Sequence, residues 1–163
     1  MKKIRIFISH SSKDKALARR LVQSIETRID VQSTEIRCTS VKGYRLPVGV
    51  DVAGRLKKEI SHAEAVIGII TPHSLKSTYV LFELGAAWGL GIPTFPLLAK
   101  GAKTKDLPGL LKGLNVARLT KRSETMQTLD DLCGRTRLVE RRDNDALLMA
   151  KIDKVVKQAR EKS

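Results

Sequence analysis

The stretch Ala65-Val66-Ile67-Gly68-Ile69-Ile70, bounded by Thr71 and Pro72, decides the fold. A short continuous apolar run rich in β-branched residues, closed by a turn-forming pair, reads as a strand buried on both faces. Strands of that kind occupy the middle of parallel sheets, and parallel strands need helical crossovers. The flanking sequence should therefore alternate strand and helix. Upstream, Ile4, Ile6 and Ile8 alternate with Arg5 and Phe7 as far as Ser9, which predicts a first strand. Behind it Leu17, Leu21, Val22 and Ile25 recur at helical spacing, with Asp14 placed to favour the positive end of the helix dipole. Glu35 to Thr39 reads as a second strand and Ser40 to Gly49 as a long loop, after which Val52, Leu56, Ile60 and Ala63 mark one face of a second helix.

Downstream the pattern predicts a helix over Thr78 to Leu90, a strand over Thr94 to Leu98, a Lys/Gly-rich loop with a short helix near Leu107 to Leu111, and a strand over Val116 to Leu119. Two C-terminal helices over 123–161 close the chain. In the last of them Leu148, Ile152, Val155 and Ala159 form one apolar stripe, so it should pack on the body. The expected fold is α/β: a flavodoxin-like, doubly wound, five-stranded parallel sheet of order 2-1-3-4-5 with helices on both faces. The length suits one domain over 1–163, without internal repeat. Ligands of such sheets bind at the carboxyl ends of strands one and three, where the winding reverses. His10-Ser11-Ser12 and Thr71-Pro72-His73-Ser74 fall on that edge.

Composition narrows the classes. Hydrophobic residues make up 42% and charged residues 29%, enough to build a core and unlike a disordered tract. Two cysteines, Cys38 and Cys133, are too few to staple a secreted fold, and a reducing cytoplasm is the expected location. The opening MKKIRIFIS is basic, but its apolar run stops at Ser9, too short for an export signal. Tyr79 to Ala99 carries one charge, yet Gly89, Gly91, Pro93 and Pro96 break it into a helix and a strand, so no membrane span is expected. Net charge is +14, which raises a polyanion as partner. The basic residues are scattered, however, and aromatics are 4%, so no platform for stacking bases is present and nucleic acid is not an expected partner. The densest basic clusters, Arg135 to Arg142 and Lys151 to Lys162, are expected to be solvated helix faces.

Glu83 is the most informative residue, the lone charge of YVLFELGAAWGLG. A carboxylate in an apolar helix is costly if buried without a partner. Its structural reading is help from the helix dipole or a pairing with a basic residue across the core; its functional reading is a site, with Tyr79 four residues earlier on the same helix face. A carboxylate beside an aromatic suits a ribose hydroxyl pair and a flat base. The loop SVKGYRLPVG is long for an α/β unit, and its Tyr44, Leu46 and Val48 would present apolar side chains for docking. His10, His62 and His73 have no metal-ligand spacing, and neither GxGxxG nor a Walker A run is present. His10 and His73 could meet across neighbouring strands. Phosphates, if bound, would fall to backbone and hydroxyl groups such as Ser9, Ser11 and Ser12.

Three segments, in order and on the right elements, resemble the Toll/interleukin-1 receptor (TIR) family. IRIFISHSSKDK resembles its first box, GYRLPVG its second box or BB loop, and Ser77-x-Tyr79-x-x-x-Glu83 the Ser-x-Trp-x-x-x-Glu pattern of members that hydrolyse NAD, with Tyr replacing Trp. The resemblance covers about residues 3 to 120. It implies an NAD+ glycohydrolase, or an ADP-ribosyl cyclase, in which Glu83 engages the nicotinamide ribose and Ser9, His10, Ser11, Ser12, Ser77 and Tyr79 bind substrate. NAD+ is then substrate, and no cofactor or metal is implied. It also implies homo-oligomers built through TIR–TIR contacts of Gly43, Tyr44, Arg45, Leu46, Pro47 and Gly49, a separate effector or sensor protein as a further partner, and a role in bacterial antiviral defence or NAD depletion. The alternative is a non-catalytic TIR adaptor that assembles through the same loop. A response-regulator receiver shares the fold but needs acids where this chain has Ser-His-Ser and Thr-Pro-His.

Overall fold

The computed structural model describes residues 3–41 and 48–162, apart from the side chain of Leu110. The apolar run forms strand β3 (Ala65–Ile70), buried along its whole length in the middle of the sheet. It is flanked by β1 (Ile6–Ser9) and β4 (Thr94–Leu98), with β2 (Ile36–Arg37) and β5 (Ala117–Arg118) at the edges. All pairings are parallel and the order is β2-β1-β3-β4-β5. Helices α1 (Lys15–Arg28), α2 (Val52–His62), α3 (Thr78–Gly89), α4 (Arg122–Gly134) and α5 (Asp145–Arg160) supply the crossovers and the C-terminal cover.

Strand parity divides the core into two layers. Ile6, Ile8, Ile67 and Ile69 face α1, α4 and α5, whereas Phe7, Val66 and Ile70 face α2 and α3. The stripe Leu148, Ile152, Val155 and Ala159 is buried, and α5 packs on α1 as its periodicity predicts. Gly68 sets how near α3 comes to the sheet. A Cβ there would lie 2.7 Å from Leu84 Cδ2, so the bare backbone lets the helix settle close against β3. Pro96 is tolerated inside β4 because Pro93 O and Ala99 N–H bond toward β3, which turns the even-numbered positions toward the short edge strand β5.

Several expectations need correction. The edge strands are two residues long, shorter than Glu35 to Thr39 and Val116 to Leu119 suggest, because the outer strands pair on one side only. The short helix expected near Leu107 to Leu111 is a single 3-10 turn, Gly109–Leu111, with a second, Thr104–Asp106, just before it; Leu107 and Pro108 lie between them, and Pro108 has no N–H to continue a helix. Val52 sits in the first turn of α2 and is half-exposed, so the buried face of that helix is Leu56, Glu59 and Ile60. Arg135 to Arg142 is the link between α4 and α5 rather than a helix face. Three of its four guanidiniums are engaged: Arg141 with Asp30, Arg142 with Glu140, and Arg135 over the Phe95 ring at 5.0 Å.

Candidate functional site

The carboxyl ends of β1 and β3 are bonded in register, with Ser9 opposite Gly68. Both positions face α3. Ser77 caps that helix, its Oγ accepting from Val80 N–H at 3.4 Å, which fixes where the next turn begins. One and a half turns on, Glu83 falls on the buried side between Val80, Leu84 and Ala87 and is 8% exposed. The close approach at Gly68 brings its carboxylate to β1, where Ser9 Oγ donates to Glu83 Oε2 at 2.5 Å.

That contact is the one polar partner of Glu83 among the described residues, and no cation among them reaches it. The expected pairing with a basic residue across the core is therefore not found there, and the second turn lies beyond strong help from the helix dipole. Burial pushes the Glu83 carboxyl above its ordinary value, opposed by the Ser9 hydroxyl. Tyr79, one turn earlier, is 65% exposed and presents a free aromatic face beside the same edge. The arrangement offers a desolvated, weakly compensated negative charge next to an open aromatic ring. Such a pair can stabilise a developing cation on a flat, partly aromatic ligand.

The remaining candidates separate. Ser9 is 1% exposed and committed to Glu83, so it does not stand open for a phosphate. His10, the next residue, turns to the other layer: Nδ1–H donates to Ile8 O at 3.3 Å, which leaves Nε2 to accept from the Ser40 hydroxyl. Burial lowers the His10 pKa, which keeps this neutral tautomer. Among the described residues no hydrogen bond joins it to His73. Cys38 lies 3.8 Å from the His10 ring, its thiol pushed by burial to about 12, so it is an inert core group. Ser11 Oγ accepts from Lys13 N–H at 3.3 Å, and Ser12 is exposed. In the loop, Gly49 adopts φ 84°, a conformation that suits glycine, whereas Gly43, Tyr44, Arg45, Leu46 and Pro47 lie outside the described residues.

Asp14 stands at the N-cap of α1, the positive end of the helix where its position in the sequence puts it, although its side chain makes no cap bond. It is wholly buried, accepting from Thr71 Oγ1 at 2.5 Å, with Lys100 Nζ 3.2 Å from its other oxygen. Lys100 gave no sequence signal. On the opposite margin Glu59 takes Arg37 at 2.6 Å and Arg55 at 2.7 Å, welding β2 to α2 on both sides of the long loop. Burial alone would raise the Glu59 carboxyl, but the two guanidiniums outweigh it and hold it low. No His/Cys/Asp/Glu group among the described residues could hold a metal ion, and no helix there is long and apolar enough to cross a membrane. A cavity of about 320 Å³ between β4, β5 and α4 lies away from Glu83, and its Arg118 and Glu124 are already paired.

The family model described as TIR domain matches residues 6–133. An uncharacterized protein of Bacillus subtilis (strain 168), YddK, is 37% identical over 84 residues, 52% of this chain but 31% of that protein's length. Among solved structures, a metazoan TIR-STING receptor from C. gigas in complex with 2',3'-cGAMP is similar over 82% of this chain and 40% of its own, at 24% identity and a TM-score of 0.59. The TIR domains of the activated Roq1 resistosome align over 96% of this chain and 84% of theirs, at 14% identity and a TM-score of 0.49.

Proposed function

The chain belongs to the TIR-domain family, and from that premise we propose that it cleaves the nicotinamide–ribose bond of NAD+ with Glu83 as its catalytic carboxylate. The observation that carries the reading is the Glu83 carboxylate itself, buried at the switch-point edge with a serine hydroxyl, and no cation among the described residues, as its partner. A structural network would supply a counter-charge; a site that waits for positive charge leaves it out.

Nicotinamide departs from a pyridinium as a neutral molecule, so no general acid need protonate it, and one carboxylate suffices where ordinary glycosides need two. Glu83 would face the ribose, accept its hydroxyls and stabilise the oxocarbenium-like charge, which is worth more in a desolvated site than in water. Tyr79 would stack on the base, and water or an internal nucleophile would take the ribosyl carbon to give ADP-ribose or its cyclic form. Ser9 acts through Glu83 and is a positioning residue. Residues 1–163 would act as one unit that self-associates through the 40–49 loop, and in a cell the reaction would drain NAD+, in keeping with a defence role. Incubation of purified protein with NAD+, with nicotinamide and both ADP-ribose products measured, tests this directly. No release at high protein concentration, with and without a crowding agent, would move the chain to the non-catalytic adaptor reading.

A further inference from the structure

The amino edge of the sheet, opposite the edge that carries Glu83, holds a second cavity, of about 540 Å³. Lys3 ahead of β1, Glu64 ahead of β3, Pro93 ahead of β4, His62 at the end of α2 and the link after α4 line it. The link is fixed through its backbone. Arg5 Nη2 donates to Arg137 O at 3.0 Å, Arg137 N–H to Glu64 Oε2 at 3.2 Å, and Leu138 N–H to Thr136 Oγ1 at 3.0 Å. Arg135 and Arg137 therefore project from a frame held by hydrogen bonds. Their charges are left open. In the same link Arg141 has Asp30 and Arg142 has Glu140, but among the described residues no carboxylate pairs with Arg135, which lies over the Phe95 ring, with Arg137 or with Lys3. Glu64 is the one acid among the described residues of the lining, and Arg5 Nε neutralises it at 2.8 Å.

We infer that this cavity is a binding site for a compact phosphate polyanion, a di- or triphosphate group held by Arg135, Arg137 and Lys3. The balance of charge supports it. The carboxyl ends of α2 and α4 open here, each equivalent to roughly half a negative charge, so together they offset about one of the three cations and leave about two in surplus. Stabilising those helix ends thus accounts for one basic residue, not for three. Shape selects phosphate over carboxylate. The cations reach the cavity from two separate segments, the start of the chain and the link, and a terminal phosphate offers them three strong acceptor oxygens in a tetrahedron, whereas a carboxylate offers two in one plane. A guanidinium takes a pair of such oxygens as a fork, and the ammonium takes another as a point charge. The volume falls within the range of small-ligand sites, about 300–1,000 Å³, which a phosphate chain fits.

The site lies away from Glu83 and does not rest on NAD+ cleavage, so its test is binding and not turnover. Calorimetric titration of the 163-residue chain with tripolyphosphate, ATP and citrate is run at about 0.15 M salt, where diffuse attraction to the +14 chain is screened. The expected result is one tripolyphosphate per chain, bound at least about tenfold more weakly by Arg135→Gln and by Arg137→Gln, partly recovered in Arg137→Lys, and unaffected by Lys154→Gln, which removes an equal charge from an exposed position on α5. Both arginines are exposed, so the variants should melt as the wild type does. ATP bound no more tightly than tripolyphosphate means that the phosphate chain is read without its nucleoside, and tighter ATP that a nucleotide supplies it; both support the site. No binding, several tripolyphosphates per chain, an equal loss in Lys154→Gln, citrate bound as tightly, or duplex DNA preferred through the same arginines would overturn the inference.

Discussion

Glu83 and Ser9 separate a catalytic carboxylate from a structural one by opposite effects on activity and stability. Because burial raises the Glu83 pKa in the folded chain, the protonated folded form is favoured; stability from this group is fullest below the ordinary carboxylate pKa and declines as pH rises through the raised value. At neutral pH its charge therefore costs stability, and Glu83→Gln should melt no lower than the wild type. The same change should cut NAD+ cleavage at least about a hundredfold, since an electrostatic stabiliser is worth on the order of 3 kcal/mol. A variant that melts far lower, or that turns over normally, returns Glu83 to a structural role. Ser9→Ala removes the donor that holds the carboxylate ionised, so the acid limb of the pH–rate profile should move to higher pH, with turnover at neutral pH down by about tenfold. Ser9→Thr keeps a hydroxyl and should restore the profile, which a mere packing defect would not do. Glu83 was legible in the sequence as a lone charge in an apolar helix. Its pairing with Ser9 was not, because it depends on strand register, on Ser9 lying opposite Gly68 under α3.

The elements that frame the site answer to a different kind of change. β3 and β4 were read to the residue because long buried runs are bounded by turn formers, whereas β2 and β5 shrank because an edge strand has one neighbour to define it. Arg55 and Glu59 are visible as an i,i+4 pair in α2, but the reach of Arg37 from β2 to the same carboxylate is a tertiary event that local spacing does not record. Glu59→Gln takes away the anion that both guanidiniums share, and loss of a buried ionic partner costs about 3–5 kcal/mol. Chemical denaturation should show a loss of that order, with the slope unchanged. For the 40–49 loop, Leu46→Ala or Pro47→Ala is expected to reduce NAD+ cleavage more at low protein concentration than at high, as an assembly defect does. An equal loss at every concentration would place the loop's action within one protomer.

Across the whole molecule, one residue holds together parts that are far apart in the chain. Lys100 follows β4 in a left-handed conformation, φ 52°, that non-glycine residues rarely adopt. Its N–H donates to Ala159 O at 2.8 Å, tying down the end of α5, which lies beyond the family-matched residues 6–133. Its Nζ reaches the wholly buried Asp14 at 3.2 Å, and Asp14 in turn takes the Thr71 hydroxyl at the end of β3. The ends of β3 and β4, the loop after β1 and the C-terminal helix thus meet at one ion pair. Lys100→Met keeps the aliphatic stem and strands the Asp14 carboxylate, which should cost about 3–5 kcal/mol. At roughly 2–4 °C per kcal/mol for a chain of this size, the melting temperature should fall by about 10 °C. Lys100→Gly loses the same charge but relieves the left-handed backbone, so it should melt above Lys100→Met. The decisive measurement is a double-mutant cycle. Asp14→Asn alone should be strongly destabilising, yet added to Lys100→Met it should cost little or recover stability, because the charge that needed a partner is gone. Losses that simply add would mean that Lys100 and Asp14 act independently and that the side-chain pair does not join the sheet's edge to the end of α5.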